Sequence, residues 1–208
     1  MDFVDLVNGT FYFLEGSQIT GEKMKKIAVI VGSNRTKSVS RRLAYWLAPQ
    51  LSNQEMKAEV VDLATVALPF LDEPELPSEG HYQNQSTIDW SNQIKSYDGV
   101  VFVAPQYNWG YPAVLKNAID TLYAEWRGLP VATVFFGGHG GFQGDLAFSL
   151  VLQGVKVNRL PVNLRLNLAV GQVTEEMSAA EVAELLSPYQ DQVALLQSAF
   201  QNELRNHE

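Results

Sequence analysis

An α/β fold, with one parallel sheet covered by helices on both faces, follows from three features of this 208-residue sequence. Short, almost wholly apolar runs (IAVIV at 27–31, GVVFVA at 99–104, VATVFF at 131–136) alternate with segments of helical spacing. Strands apolar on both sides belong in a sheet buried on both faces, and strand–helix alternation makes that sheet parallel. Each run also ends in an unusual loop: GSNRTKSVS, PQYNWGYP or GGHGG. In a parallel sheet all three loops then lie on one edge, where ligands bind at the point of strand reversal.

The first element, Ile27 to Ser40, reads as strand, anion-binding loop and helix start. The leading N–H groups of a helix have no partner inside it, and the macrodipole leaves that end partly positive, so a phosphate is well placed there. Gly32 lets the chain turn, Ser33, Ser38 and Ser40 offer hydroxyls, and Arg35 offers a fork of charged donors. An ordinary strand-to-helix turn with a serine cap fits this stretch equally well on its own.

Leu43, Ala44, Leu47 and Leu51 then share one side of a helix predicted over 41–51. A short strand is expected at 58–63, and the proline-rich stretch 64–85 reads as a long irregular connection. Ser86 or Thr87 opens a helix to about Tyr97, ahead of the 99–104 strand. Pro112 suits a first helical turn, followed by the stripe Val114, Leu115, Ala118, Ile119 and Leu122. Gly128 and Pro130 close that helix before the 131–136 strand. A helix from about Asp145 to Leu152 and a fifth strand carrying Val162, Leu164, Leu166 and Leu168 come next. Ser178 and Glu181 have capping-box spacing, and the final helix is expected to be interrupted or bent near Pro188.

Composition narrows the function classes. A net charge of −8 opposes general nucleic-acid binding, which needs clustered Lys and Arg. The absence of cysteine removes disulfides, iron–sulfur clusters, thiolate zinc sites and cysteine nucleophiles, and suits the cytoplasm. No apolar run reaches the roughly 18 residues of a membrane span. Residues 1–23 begin with acids and resemble neither a secretory signal nor a transit peptide, so they are expected to be an extension or arm. A single domain is expected over 24–208.

Two nucleotide signatures fail at the first loop. A P-loop needs glycine at the position of Lys37, and a dinucleotide fingerprint needs glycine at the position of Asn34. Asp62 is accordingly a loop acid and not a ribose hook. What remains is a site for a single phosphate, with two neighbouring loops rich in glycine, aromatics and amides against which a flat heteroaromatic ring could lie.

The three loops in this order, above all PQYNWGYPAVLKNAID from Pro105 to Asp120, resemble the NADPH-dependent FMN reductase family over about residues 25–175. The resemblance implies a flavodoxin-like, doubly wound parallel five-stranded sheet. It also implies that FMN is held at its phosphate by Ser33, Arg35 and Ser38, with Ser40 where the family often has asparagine. Pro105, Gln106, Tyr107, Asn108, Trp109 and Gly138 would border the ring. Many members have glutamate at the position of Gln106, and the Trp109-Gly110-Tyr111 insert varies. The implied activity passes hydride from NADPH through FMN to an acceptor such as flavin, a quinone or an azo compound. A homodimer or dimer of dimers is implied too, and exposed Trp109, Tyr111 and Trp126 would suit its interface. No side chain is assigned as a catalyst and no metal site is expected; His81, His139 and His207 are scattered. The competing expectation is a flavodoxin-like electron carrier with no NADPH site of its own.

Overall fold

The computed structural model describes residues 6–7, 10–15 and 18–205. In chain order, β1 (Leu6–Val7), β2 (Thr10–Glu15) and β3 (Gln18–Lys23) form an antiparallel sheet of their own. The expected extension at 1–23 thus falls partly outside the described residues, as does His207. Then follow β4 (Lys25–Val31), α1 (Val39–Leu51), β5 (Met56–Asp62), the single turn α2 (Leu63–Val66), α3 (Gln85–Lys95) and β6 (Gly99–Pro105). The remainder is α4 (Ala113–Asp120), β7 (Pro130–Gly137), α5 (Phe142–Gly154), β8 (Asn158–Arg159), β9 (Leu164–Asn167), α6 (Ala179–Leu185) and α7 (Gln190–Arg205).

The strand order β5-β4-β6-β7, with β8 and β9 on the far side of β7, is that of a flavodoxin-like sheet, and its pairings are parallel. The chain reverses direction across the sheet between β4 and β6, so the loops after those strands flank a crevice at their carboxyl ends. The fifth strand position is split. β8 pairs with Pro130 and Val131, and β9 pairs with Val134 to Gly137. Pro161, between them, has no N–H to give the ladder. The Asn163 side chain substitutes there, its Oδ1 accepting from the Thr133 backbone N–H at 2.9 Å. This explains why the last strand begins at Leu164 and not at Val162.

Alternation along the strands feeds two cores. Val101 and Val103 of β6 face a cluster with Leu43 and Leu47 of α1 and Leu196 and Phe200 of α7. Val100, Phe102 and Ala104 face Trp90 of α3, Leu115 and Ile119 of α4 and Phe148 of α5. Trp126 belongs to this second core. It is fully buried and donates through Nε1 to the Ile119 carbonyl at 2.9 Å, so it is not the exposed interface aromatic expected from sequence. Tyr111 is half-buried with its ring centre 5.1 Å from that of Phe148, which leaves Trp109 as the exposed member of the three.

Several boundaries shift for local reasons. α1 starts at Val39, and α5 starts at Phe142 because Gly140 and Gly141 adopt left-handed conformations that launch it directly. Of the interruption or bend expected near Pro188, the structure has the interruption: α6 ends at Leu185 and a 3-10 turn at Ser187–Tyr189 precedes α7.

Candidate functional site

The loop after β4 is built to leave donors free. Gly32 is needed for closeness and not for a special φ: a Cβ there would sit 3.1 Å from Ala104 Cβ and 3.2 Å from the Val103 carbonyl oxygen. Arg41, on the first turn of α1, secures the loop by donating from Nη1 to the Thr36 carbonyl at 3.1 Å. Asp62 orients that arginine, accepting from its Nε at 2.5 Å while also capping α2 through the Ala64 N–H. The expected loop acid is therefore a support for the loop.

Ser38 is the N-cap of α1, yet its hydroxyl makes no capping bond. Ser38 Oγ and Ser40 Oγ are buried polar atoms with no hydrogen-bond partner among the described residues, at 3% and 0% residue exposure. Leaving such a group unpaired costs about 1–3 kcal/mol, so two of them beside a helix N-terminus mark a place for an acceptor-rich anion. Ser33, Arg35, Ser38 and Ser40 line one small cavity together with Lys37, Pro105 and Tyr107. Arg35 and Lys37 are exposed cations at its mouth. Lys37 was not singled out from sequence, although it lies inside the first loop.

A cleft of about 370 Å³ adjoins this cavity, sharing Arg35, Lys37 and Pro105 with it. Its floor and sides include Gln106, Phe136, Gly137 and Gly138. Nothing lies within 4 Å of a Cβ built on Gly138, so the backbone there faces open space. Gly140 and Gly141 turn the other way, against Arg165 and Phe136, and hold the loop to the sheet. The outer wall is the segment after β9, from Leu168 to Val173, which sequence reasoning did not assign because it carries no charged residue or nucleotide-binding motif.

The second loop divides by role. Gln106 borders the cleft, but its side-chain oxygen accepts from the Gly144 N–H at 2.9 Å and so caps the start of α5. Tyr107 and Gly110 exchange backbone hydrogen bonds at 3.0 and 2.8 Å, closing a tight turn with Asn108 and Trp109 at its tip. Both tip residues have positive φ, 49° for Asn108 and 64° for Trp109, and Trp109 is 73% exposed. Asn108 and Trp109 line neither of these two cavities. A large aromatic held left-handed at a solvent-facing tip stores roughly 1–3 kcal/mol of strain, which is the signature of a residue placed for contact.

Behind the third loop lies a charge network. Asp145, 1% exposed, accepts from Thr133 Oγ1 at 2.7 Å, from Arg159 Nη2 at 2.7 Å, and from Arg165 Nε and Nη2 at 3.0 and 2.9 Å. It ties the first turn of α5 to β7 and to both halves of the fifth strand. Arg165 also lies over the Phe142 ring, 4.8 Å from its centre. His139, at the tip of the third loop, is exposed.

The residues present fit FMN. The orphaned serine hydroxyls and the N-terminus of α1 suit its phosphate, and the open backbone at Gly137 and Gly138 suits a flat ring.

Comparison with known proteins agrees with this geometry. Residues 25–172 match the family model described as NADPH-dependent FMN reductase. The chain is 41% identical over 145 residues to an NAD(P)H-dependent FMN reductase of Saccharomyces cerevisiae, covering 64% of this chain and 76% of that one. It is 33% identical over 145 residues to a quinone reductase of Pseudomonas putida, covering 65% and 74%. Among solved structures, the flavoenzyme NAD(P)H:(acceptor) oxidoreductase of Paracoccus denitrificans shares the fold, with a TM-score of 0.65 at 23% identity over 86% of this chain and 99% of that one. With the loops, the cleft and the strand order in agreement, the chain belongs to the NADPH-dependent FMN reductase family.

Proposed function

We propose that this protein is an NAD(P)H-dependent FMN oxidoreductase whose cofactor phosphate sits against Ser33, Arg35, Ser38 and Ser40, with its ring in the cleft beside Pro105, Gln106 and Gly138. The observation that carries the site is the pair of buried, unpartnered hydroxyls of Ser38 and Ser40 at the N-terminus of α1. When bound, FMN supplies the redox chemistry, taking hydride from NADPH and passing electrons to an acceptor. The chain's own contribution is position and electrostatics. Arg41 and Asp62 hold the phosphate loop, Gly137 and Gly138 give the ring room, and Gln106 fixes the start of α5 under the third loop. No side-chain acid or base is required. Quinones are the acceptor class we favour, because quinone reductases are among the relatives; flavins and azo compounds share the flat, electron-poor character the cleft would accept.

The test of the site is a comparison of FMN with riboflavin, which has the same ring and no phosphate. Apoprotein titrated with each is expected to bind FMN at least 100-fold more tightly. Equal affinities would remove the phosphate assignment.

The assembly belongs to the same proposal. α5 buries Phe148 and Leu152 on one side and exposes Phe142, Leu146 and Leu150 on the other, at intervals of one helical turn. Its one charged residue, Asp145, is buried and neutralises Arg165, the cation that lies over Phe142, so the exposed stripe has no net charge to oppose a second copy of itself. The turn bearing Trp109 is adjacent: a Cβ on Gly144 would lie 2.9 Å from the Gly110 carbonyl oxygen. An uncharged apolar stripe of this kind suits an isologous interface, and we assign it to a homodimer in which Trp109 approaches the partner copy. Sedimentation should show the parent as a dimer and the double variant Leu146→Glu/Leu150→Glu as a monomer. A dimeric variant would place the interface elsewhere.

The cysteine-free composition suits a cytoplasmic enzyme, and among the described residues no helix is long and apolar enough to cross a membrane. Residues 24–208 are read as one FMN-binding domain, with 1–23 an appendage.

A further inference from the structure

Arg42 lies four residues after Ser38 on α1 and directs its guanidinium away from the phosphate cavity. Its Nε donates to the Thr174 carbonyl at 3.3 Å, and its Nη2 donates to the carbonyls of Glu175 and Met177. All three acceptors belong to the irregular segment between β9 and α6. That segment begins as the outer wall of the ring cleft: Leu168, Ala169, Val170, Gly171 and Val173 face it across from Pro105 and Gly138.

Leu168 is buried in the core shared with α1 and Met177 packs against it, while the stretch between is lightly held. Ala169 and Gln172 close a local turn through the Gln172 N–H to Ala169 carbonyl bond at 3.1 Å and the Gln172 side chain at 2.8 Å. Gly171 in that turn has a φ of 79°, and Val170 at its tip is fully exposed. Val173 drops into the core beside α1. Past Val173, irregular backbone runs to the capping box of Ser178 and Glu181. Arg42 is what fastens this stretch to the helix, and charge-assisted bonds to several carbonyls from one planar group fix position better than a single contact. A cavity of about 250 Å³ remains between the two, lined by Lys37, Ser38, Arg42 and Val173. The wall is therefore anchored in the core at Leu168 and Val173, and past Val173 it is docked by the arginine beside a gap.

We infer that Arg42 is a positioning residue that docks the 168–177 segment against α1, so that the helix turn serving the phosphate also sets the outer wall of the ring cleft. This rests on the FMN reading of the site. Arg42 itself touches no part of the cofactor in this account; it acts through the wall. The expected consequence is that ring coverage and FMN retention depend on a residue outside the binding loops.

The experiment compares the parent with Arg42→Ala, Arg42→Lys and Arg35→Ala. Hydrogen exchange on the apoprotein should be at least 10-fold faster across 168–177 in Arg42→Ala, with amides of β4 and β6 unchanged. The variant should bind FMN roughly 10-fold more weakly, and its bound flavin should lose the resolved shoulders of its visible band as the ring meets water. Arg42→Lys, which keeps the charge and donors, should recover part of both effects. Unchanged exchange at 168–177, or unchanged FMN affinity and spectrum in Arg42→Ala, overturns the inference when Arg35→Ala still weakens FMN. A parent protein that retains no FMN would instead overturn the flavin reading on which the inference rests.

Discussion

Replacing Asp145 with alanine is expected to lower stability by about 2–3 kcal/mol, less than the cost of stranding a fully buried charge because Arg159 and Arg165 keep 30% and 46% of their side chains in solvent. For a chain of this size that is a fall of up to roughly 10 °C in melting temperature. The size of the effect follows from what is left behind. Arg159 and Arg165 both lose their carboxylate, and Arg159 Nε is already buried without a partner. Thr133, in the middle of β7, also loses the shorter of its two hydroxyl contacts and keeps only Asn163 Oδ1 at 3.0 Å. Since Asp145 fastens the turn that follows GGHGG, the loss should loosen the third loop before the sheet melts, and proteolysis should cut near 137–145 first. Calorimetry of the apoprotein measures the first effect. A fall of less than 1 kcal/mol would show that the two arginines are adequately solvated without Asp145.

The second large effect is expected at Arg35. Charge-assisted hydrogen bonds contribute about 1.5–3 kcal/mol each, and Arg35 stands exposed at the mouth of the cavity where screening weakens it. Arg35→Ala should therefore weaken FMN binding roughly 10- to 100-fold, leave riboflavin binding unchanged and so erode the preference for the phosphorylated cofactor. Turnover of flavin-saturated enzyme should change little, because the proposed role of the arginine is to bind the phosphate and not to take part in electron transfer. Equal FMN affinity in mutant and parent would transfer the phosphate role to Lys37, the other cation of that cavity.

Both residues illustrate what can be read from a sequence and what cannot. Arg35 was legible because the apolar run 27–31, the glycine and the hydroxyls are consecutive in the chain, so local physics places them at one helix end. The parallel sheet was legible for a similar reason, because the buried runs and their loops repeat; the flavodoxin-like order of the strands came from the family resemblance. Asp145 was not legible, since its partners come from 133, 159 and 165 and meet only after the sheet forms. Arg42 was hidden in the same way, its acceptors lying more than 130 positions along the chain. Trp126 was misplaced because a tryptophan between charged residues reads as exposed, whereas its turn folds it under α4. Gln106 was assigned to the ring from family likeness alone; its side chain is bonded to the start of α5.

As a reductase, this chain would bind FMN at the carboxyl edge of the sheet and itself accept electrons from NADPH. Anaerobic mixing of the FMN-loaded protein with NADPH, and separately with NADH, tests it most directly. The account predicts that the yellow colour is lost within seconds with NADPH and no partner enzyme, and that an added quinone restores it. A protein that holds FMN but stays yellow with both nucleotides would be an electron carrier, and the reductase assignment would be wrong.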